Sequence, residues 1–268
     1  MSEDELKKCA EFAREMAAEA GTIMHKYSEM DQQVERKGDN SPVTIADKSI
    51  NSLLIEKVKA TFPDHGVLGE EESHETDRDV LWVCDPIDGT VSFILHSPHS
   101  MFSLALAIKG EVVLAVTYNP WTDELFEAQK GKGATKNSKP IHVSDRVWGD
   151  GALIVSTSDP IHKGYPTDTP EAMLKIRSEG NRLFHLAGCV FKGMMIAQGH
   201  ADGYIFPYDT AHDIAAVKLI VEEAGGSVTN LAGEEQRYDR KINGAIVSHK
   251  GVHDQLREIA ADYAYSGD

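Results

Sequence analysis

The fold is best predicted from one stretch, Leu81-Trp82-Val83-Cys84-Asp85-Pro86-Ile87-Asp88-Gly89-Thr90. Its apolar start, from Val80 to Cys84, predicts a buried β-strand. Proline cannot donate to the ladder of a central strand, so we expect the strand to end at Asp85-Pro86. Two carboxylates, Asp85 and Asp88, therefore follow the end of a buried strand.

The two carboxylates repel each other unless a positive charge lies between them, and a hard divalent cation such as Mg²⁺ suits such oxygen ligands. Gly89 permits a backbone turn, and the Thr90 hydroxyl can cap a helix or take part in chemistry. Alone, the segment favours a simpler interpretation, in which a strand is followed by an Asx-type turn with solvated acids.

Two further segments change this interpretation. Upstream, the short apolar piece 65–69 is followed by Glu70-Glu71-Glu72; downstream, Asp213 opens an apolar helical run that Gly225-Gly226 closes. Together with residues 85–90, these segments resemble the inositol monophosphatase superfamily, the metal-dependent, lithium-sensitive phosphomonoesterases. The resemblance extends from about residue 37 to the end, although the usual Trp before the late Asp is His212.

The resemblance implies two or three Mg²⁺ ions bound by acidic residues of the three segments. Asp85 would bridge two of them, and the backbone N–H groups of Gly89 and Thr90 would hold phosphate oxygens. The implied metal ligands are Glu70, Asp85, the carbonyl of Ile87, Asp88 and Asp213. The implied catalytic residues, which orient a water molecule, are Asp47, Thr90 and Glu70.

Several of these residues have simpler explanations. Asp47, at a predicted helix start, is also explained by capping and the helix dipole. Lys37 matches a lysine of the family's flexible lid, but it is equally explained as a solvated loop residue. We expect Glu71 and Glu72 to be solvated or beside the ligands, and Cys84 to face the core.

The sequence departs from the inositol-specific members at the substrate side. Ser92 replaces their Asn, and Phe206 replaces a Glu, seven residues before Asp213, that binds inositol hydroxyls. A phenyl ring cannot accept those hydrogen bonds, which puts inositol phosphate in doubt. The segment expected at the sugar is Ala187-Gly188-Cys189, so the predicted substrate contacts are Ala187, Gly188, Cys189 and Phe206.

Composition limits the possible partners and compartments. The chain has 268 residues and a formal charge of −16, which argues against nucleic acid as a partner. No apolar run approaches the roughly 18 residues of a membrane span, and the acidic N-terminus lacks a signal-peptide pattern. The three cysteines are scattered, so we expect a reducing cytoplasm. The twelve histidines show no zinc-ligand spacing.

Hydrophobic patterns predict a mixed α+β fold, and the resemblance implies a layered αβαβα sandwich. Residues 102–108 alternate, as expected for a strand with one buried face. We predict an N-terminal α+β half over 1–148, carrying most metal ligands, and a C-terminal α/β half over 149–268, carrying Asp213. Helices are predicted at 3–28, from 44–47 to Pro63, and at 170–178, 188–198, 211–224 and 252–263. Further strands are predicted at 112–118, 124–128, 152–156, 204–207 and 245–248.

The predicted function is a cytoplasmic, Mg²⁺-dependent phosphomonoesterase acting on a small sugar, polyol or amino-alcohol phosphate. Relatives that hydrolyse histidinol phosphate, fructose bisphosphate or adenosine 3′,5′-bisphosphate supply the alternatives. An alternative of another class is a catalytically idle member that binds a partner protein. The retained acidic residues argue against it. The family usually dimerises, so a homodimer is expected.

Overall fold

A computed structural model describes residues 1–30, 32–38, 41–156 and 170–262. Gly and Pro in the polar segment 31–46 predict a loop or hairpin, and its residues 31, 39 and 40 lie outside the described residues, as does residue 263 of the last predicted helix. The helices are α1 (Glu3–Ser28), α2 (Ile45–Thr61), α3 (Thr90–Ile94), α4 (Pro170–Ser178), α5 (Cys189–Ala197), α6 (Ala211–Glu223) and α7 (His253–Asp262).

The strands form two sheets and a small hairpin. The hairpin pairs β1 (Glu35–Arg36) with β2 (Pro42–Val43). The first sheet contains β3 (Gly66–Gly69), β4 (Val80–Asp88), β5 (Met101–Ile108), β6 (Glu111–Asn119), β7 (Glu124–Gln129), β8 (Ala134–Lys136) and β9 (Lys139–Pro140). The second contains β10 (Leu153–Ser156), β11 (Arg182–His185), β12 (Gly203–Phe206), β13 (Ser227–Thr229) and β14 (Ala245–Ser248).

The first sheet has its strands in chain order. It is antiparallel from β4 to β9, and β3 joins β4 in parallel. The second sheet has the order β11-β10-β12-β14-β13, with parallel pairs around β10 and antiparallel pairs around β14. The first sheet ends at Pro140 and the second begins at Leu153. The division into halves at residue 148 stays a prediction.

Helices cover both sheets and separate them. α1 and α2 pack on one face of the first sheet, α5 and α6 lie between the sheets, and α4 and α7 pack on the outer face of the second. Each layer buries an apolar face against the next. The expected α+β fold with an αβαβα layer order is confirmed.

Local sequence explains where the two N-terminal helices begin. Ser2 and Glu5 form a capping box, in which Glu5 N–H donates to Ser2 Oγ at 3.2 Å and Ser2 N–H donates to Glu5 Oε2 at 2.6 Å. Thr44 and Asp47 form the same arrangement at α2. The helices predicted at 3–28 and 170–178 are confirmed with the same bounds.

Two strand predictions need correction. β4 does not end at Asp85-Pro86 but continues to Asp88, because the ladder with β5 shifts register between Asp85 and Asp88. Asp85 pairs with Ser103 and Asp88 with Met101, so one extra residue is accommodated as a bulge around Pro86. β5 is buried on both faces instead of one, because α1 covers one face and α6 the other.

Three features complete the fold. The predicted strands do not include β11, whose residues are mostly exposed, or the short strands β3, β8, β9 and β13. Gly131-Lys132-Gly133 forms a tight turn, in which Glu223 accepts the N–H groups of both glycines. No helix in the described part of the chain is long and apolar enough to cross a membrane.

Candidate active site

The fold brings the four predicted acidic ligands together from separate segments. Asp85 and Asp88 end β4 and are 2% and 3% exposed. Glu70 follows β3, and Asp213 lies in the first turn of α6. Burial and the charges of Glu70, Asp88 and Asp213 raise the pKa of Asp85 well above its usual value. The four carboxylates are therefore close enough to repel one another.

Asp88 links the first sheet to helix α5 by capping the N-terminus of that helix. Its Oδ1 accepts the N–H of Cys189 at 2.8 Å, and its Oδ2 accepts the N–H of Val190 at 2.9 Å. The helix needs this cap because its N-cap residue, Gly188, has no side chain. Burial and the charge of Asp213 nevertheless raise the pKa of Asp88 to about 7.

The contact depends on a glycine at position 188. Gly188 has a φ of 83°, in the left-handed region. A Cβ there would lie 2.8 Å from Asp88 Oδ2 and 3.0 Å from the carbonyl oxygen of His99. Both the backbone conformation and the space therefore require a residue without a side chain.

Asp47 joins a helix cap to the Thr90 hydroxyl. Its Oδ2 accepts the Thr44 N–H at 2.8 Å and the Thr44 hydroxyl, and its Oδ1 lies 3.4 Å from Thr90 Oγ1. Thr90 Oγ1 also lies 3.3 Å from the carbonyl oxygen of Ile87. Burial, with a contribution from Glu70, raises the pKa of Asp47 to about 7. Asp47 thus both caps α2 and contacts Thr90 within the site.

Lys37 reaches the site from the hairpin segment. Its Nζ lies 2.6 Å from Glu70 Oε1 and 2.7 Å from Glu71 Oε1. Burial opposes ionisation of Glu70, but the charges of His212 and Lys37 outweigh it and lower the Glu70 pKa. The side chains of Lys37 and Glu71 are only 21% and 12% exposed and form an ion pair, so Lys37 contacts the site and Glu71 lies beside the predicted ligand Glu70, one of the two environments expected for it.

Asp213 is oriented by two neighbours on its own segment. Its Oδ2 accepts the Thr210 hydroxyl and lies 3.5 Å from His212 Nε2. Burial raises the pKa of Asp213 despite the nearby His212. The histidine in the place of the usual Trp therefore contacts the predicted ligand directly.

The predicted substrate contacts fall into two groups. Ala187 and Gly188 are partly buried, and Gly188 and Cys189 lie directly against Asp88. Phe206 is 1% exposed within the central core, and its ring centre is 5.3 Å from that of Tyr208. The structure thus brings the glycine and cysteine to the acids, while the role of Phe206 stays a prediction.

Sequence reasoning missed a buried lysine beside the site. Lys192 is 1% exposed, and its Nζ lies 4.9 Å from the centre of the Tyr204 ring. Its positive charge acts against the burial and the Asp213 charge that raise the pKa of Asp88. A single lysine within an otherwise apolar helix, α5, is the sequence signal that could have identified it.

The residues present fit a divalent cation. Carboxylate and carbonyl oxygens are the ligands that Mg²⁺ prefers. The raised pKa values of Asp85, Asp88 and Asp213 indicate negative charge that a cation would neutralise. Among the described residues, ligand atoms of Asp88, Cys189 and Asp213 lie within 4.8 Å of one another.

The fold is thus a layered α+β sandwich whose candidate site is a cluster of buried carboxylates, at a strand end and beside a helix start, that could hold a metal ion. The particular family follows from comparison with known proteins. A sequence model described as the Inositol monophosphatase family matches residues 5–264, and the chain belongs to this family.

Individual relatives carry different names. The chain is 34% identical over 221 residues to the Nus factor SuhB of Escherichia coli K12, covering 81% of this chain and 83% of that protein. It is 33% identical over 231 residues to a histidinol-phosphatase of Chlorobaculum parvum, covering 85% and 88%. The solved structure of the Thermotoga maritima IMPase aligns with a TM-score of 0.83 at 27% identity, covering 94% of this chain and 96% of that one.

Proposed function

We propose that this protein is a Mg²⁺-dependent phosphomonoesterase that hydrolyses a small phosphorylated metabolite, a sugar, polyol or amino-alcohol phosphate. The observation that carries the proposal is the convergence of four acidic side chains beside the hydrogen-bonded pair Asp47 and Thr90. Family membership supports the same chemistry.

The acidic residues divide between two cation positions in this proposal. Glu70, Asp85 and the carbonyl of Ile87 would hold one Mg²⁺, and Asp88 and Asp213 would hold a second, with Asp85 shared. When bound, such ions neutralise charge on the phosphate and act as Lewis acids. Lys37, paired with Glu70, would supply a further positive charge from the hairpin.

Asp47 and Thr90 would activate the attacking water. The Thr90 hydroxyl donates to Asp47 Oδ1, which leaves its oxygen lone pairs directed to accept a hydrogen bond from water. Asp47, with a pKa of about 7, is suited to accept a proton near neutral pH. The N–H groups of Gly89 and Thr90, at the start of α3, would donate to phosphate oxygens.

Histidinol phosphate is the second candidate substrate. Phe206 offers no carboxylate at the place where inositol-specific members bind hydroxyl groups, which favours a less hydroxylated leaving group. The relative named histidinol-phosphatase supports this choice. Fructose 1,6-bisphosphate and adenosine 3′,5′-bisphosphate are the remaining candidates from the same superfamily.

A partner-binding function is the rival of another class. The relatives named Nus factor SuhB motivate it. The buried, mutually repelling acids argue against it, because a chain without metal chemistry would be more stable without them. The proposal includes a homodimer and a cytoplasmic location. Three unpaired cysteines support a reducing compartment.

A substrate panel tests the proposal. Phosphate release would be measured from inositol 1-phosphate, histidinol phosphate, fructose 1,6-bisphosphate and adenosine 3′,5′-bisphosphate, with Mg²⁺, with EDTA and with added Li⁺. We expect one substrate to lead, EDTA to abolish its turnover, and Li⁺ to inhibit. Turnover that persists in EDTA would contradict the metal mechanism. No release and no Mg²⁺ binding by calorimetry would favour the partner-binding rival.

A further inference from the structure

A cysteine lies among the acids of the second cation position. Cys189 is the first residue of α5 and is 8% exposed. Its Sγ and the carboxylate oxygens of Asp88 and Asp213 lie within 4.8 Å of one another. A cation held by the two carboxylates would therefore also lie within bonding reach of the Cys189 thiol.

We propose that Cys189 is a third side-chain ligand at the position of Asp88 and Asp213 when a thiophilic divalent cation binds there in place of Mg²⁺. The inference rests on the proposed metal site. Thiolate sulfur is a strong ligand for Zn²⁺, Co²⁺ and Cd²⁺, whereas Mg²⁺ takes oxygen ligands.

The backbone holds Cys189 rigidly beside the carboxylates. Its N–H donates to Asp88 Oδ1 at 2.8 Å, and its carbonyl oxygen accepts the Tyr204 hydroxyl at 3.0 Å. Tyr204 is itself fully buried on β12. A ligand fixed at a helix start by two hydrogen bonds needs little reorganisation to bind a cation.

The other cation position differs in its ligands. Cys84 precedes Asp85 directly, but it belongs to the core cluster on the α1 and α2 side of the sheet, whereas Cys189 belongs to the central cluster. Successive strand residues point to opposite faces, so the Cys84 thiol points away from Asp85. We therefore infer one position with oxygen ligands alone and one that offers both oxygen and sulfur ligands.

The coordination step balances without an oxidant or reductant. The Sγ–H bond of Cys189 breaks, its proton passes to solvent, and Sγ forms a bond to the cation. Binding of a thiophilic cation at this position therefore releases the proton of the Cys189 thiol.

Cobalt absorption tests the ligand directly, without reference to activity. Co²⁺ would be added to the metal-free wild-type protein and to Cys189→Ala, Cys189→Ser and Cys84→Ala, with binding followed in parallel by calorimetry. We expect a near-ultraviolet thiolate-to-cobalt band in the wild type and Cys84→Ala, and its loss in both Cys189 variants. Co²⁺ binding without that band in the wild type, or a band that persists in Cys189→Ala, would overturn the proposal.

A second measurement, of cation affinity, separates this inference from the proposed function. Cd²⁺ affinity should fall by at least about tenfold in Cys189→Ser, the scale on which even outer-shell changes weaken metal sites. Mg²⁺ affinity should stay within error. Equal Cd²⁺ affinities would reject the thiol ligand while leaving Mg²⁺-dependent turnover intact. A cobalt band without phosphatase activity would reject the proposed function alone.

Discussion

Asp88 accepts a hydrogen bond from the backbone N–H of Cys189 at 2.8 Å, across 101 residues of chain. One carboxylate thereby caps the N-terminus of α5 and forms part of the acidic site at the end of β4. The geometry of the site and the position of α5 against β4 consequently involve the same contact.

The glycine beside this contact should be intolerant of substitution. We expect Gly188→Ala to lower the free energy of unfolding by about 2 kcal/mol or more and to reduce turnover. The backbone of an alanine would be strained at this positive φ, and its Cβ would clash with Asp88 Oδ2. Gly131→Ala is the matched control, since its φ is 75° but nothing lies within 4 Å of the added Cβ. Urea denaturation of both variants makes the comparison. Equal losses would show that backbone strain alone, without the Asp88 contact, explains the effect.

Removing the Thr90 hydroxyl should affect chemistry and leave the fold intact. We expect Thr90→Ala to lower kcat by about 10²- to 10⁴-fold, the usual range for a lost acid–base contribution, with little change in Tm. Thr122→Ala, at an exposed turn, should retain full activity. Steady-state kinetics on the leading substrate would decide. A Thr90→Ala enzyme as fast as the wild type would remove Thr90 from the mechanism.

Lys37 should compete electrostatically with the cations. Its Nζ lies 2.6 Å from Glu70, so Lys37→Gln removes a positive charge from the cation site and should raise Mg²⁺ affinity several-fold. Lys48→Gln, whose partner Glu35 is 65% exposed, should leave the affinity unchanged. Isothermal calorimetry of the two variants measures this. A weaker Mg²⁺ affinity in Lys37→Gln would mean that Lys37 supports cation binding.

A buried aspartate remote from the site should govern acid stability. Burial opposes ionisation of Asp202. Hydrogen bonds from His249, Arg146 and Ser144 outweigh burial and lower the pKa of Asp202 below its usual 3.8. The ionised form is therefore favoured by folding, and its contribution is present above pH 3.8 and is lost as the pH falls through the folded pKa.

Substitution of Asp202 tests this predicted pH dependence of stability. Asp202→Asn should lower the free energy of unfolding by about 3 kcal/mol at neutral pH, because Arg146 and His249 lose a fully buried partner. The difference from the wild type should shrink below about pH 4. Asp254→Asn, 78% exposed, should stay within about 0.5 kcal/mol of the wild type. A deficit in Asp202→Asn that stays constant with pH would contradict the linkage.

Much of the fold could be predicted because local patterns determine it. The long helix α1 follows from its apolar spacing, and the layer order follows from the family resemblance. β11 was missed because an edge strand that is mostly exposed lacks the apolar pattern of a buried strand. β4 was ended too early because the bulge around Pro86 depends on its pairing with β5.

The candidate site, like the fold, could be predicted from the sequence only in part. The acidic segments were recognisable from their residues, but the cap that Asp88 supplies to α5 joins residues far apart in sequence. The pairing of Lys37 with Glu71 and the approach of Cys189 to Asp213 are likewise tertiary contacts, which no local spacing encodes.

The most direct test of the account compares Mg²⁺-dependent phosphate release by the wild type, Asp213→Asn and Asp209→Asn on the leading substrate of the panel. Asp209 lies four residues earlier, is 53% exposed and pairs with Lys241, so it is the matched control. The account predicts that Asp209→Asn retains wild-type release and that Asp213→Asn loses it while remaining folded. Wild-type release by Asp213→Asn, or release by the wild type that needs no Mg²⁺, would contradict it.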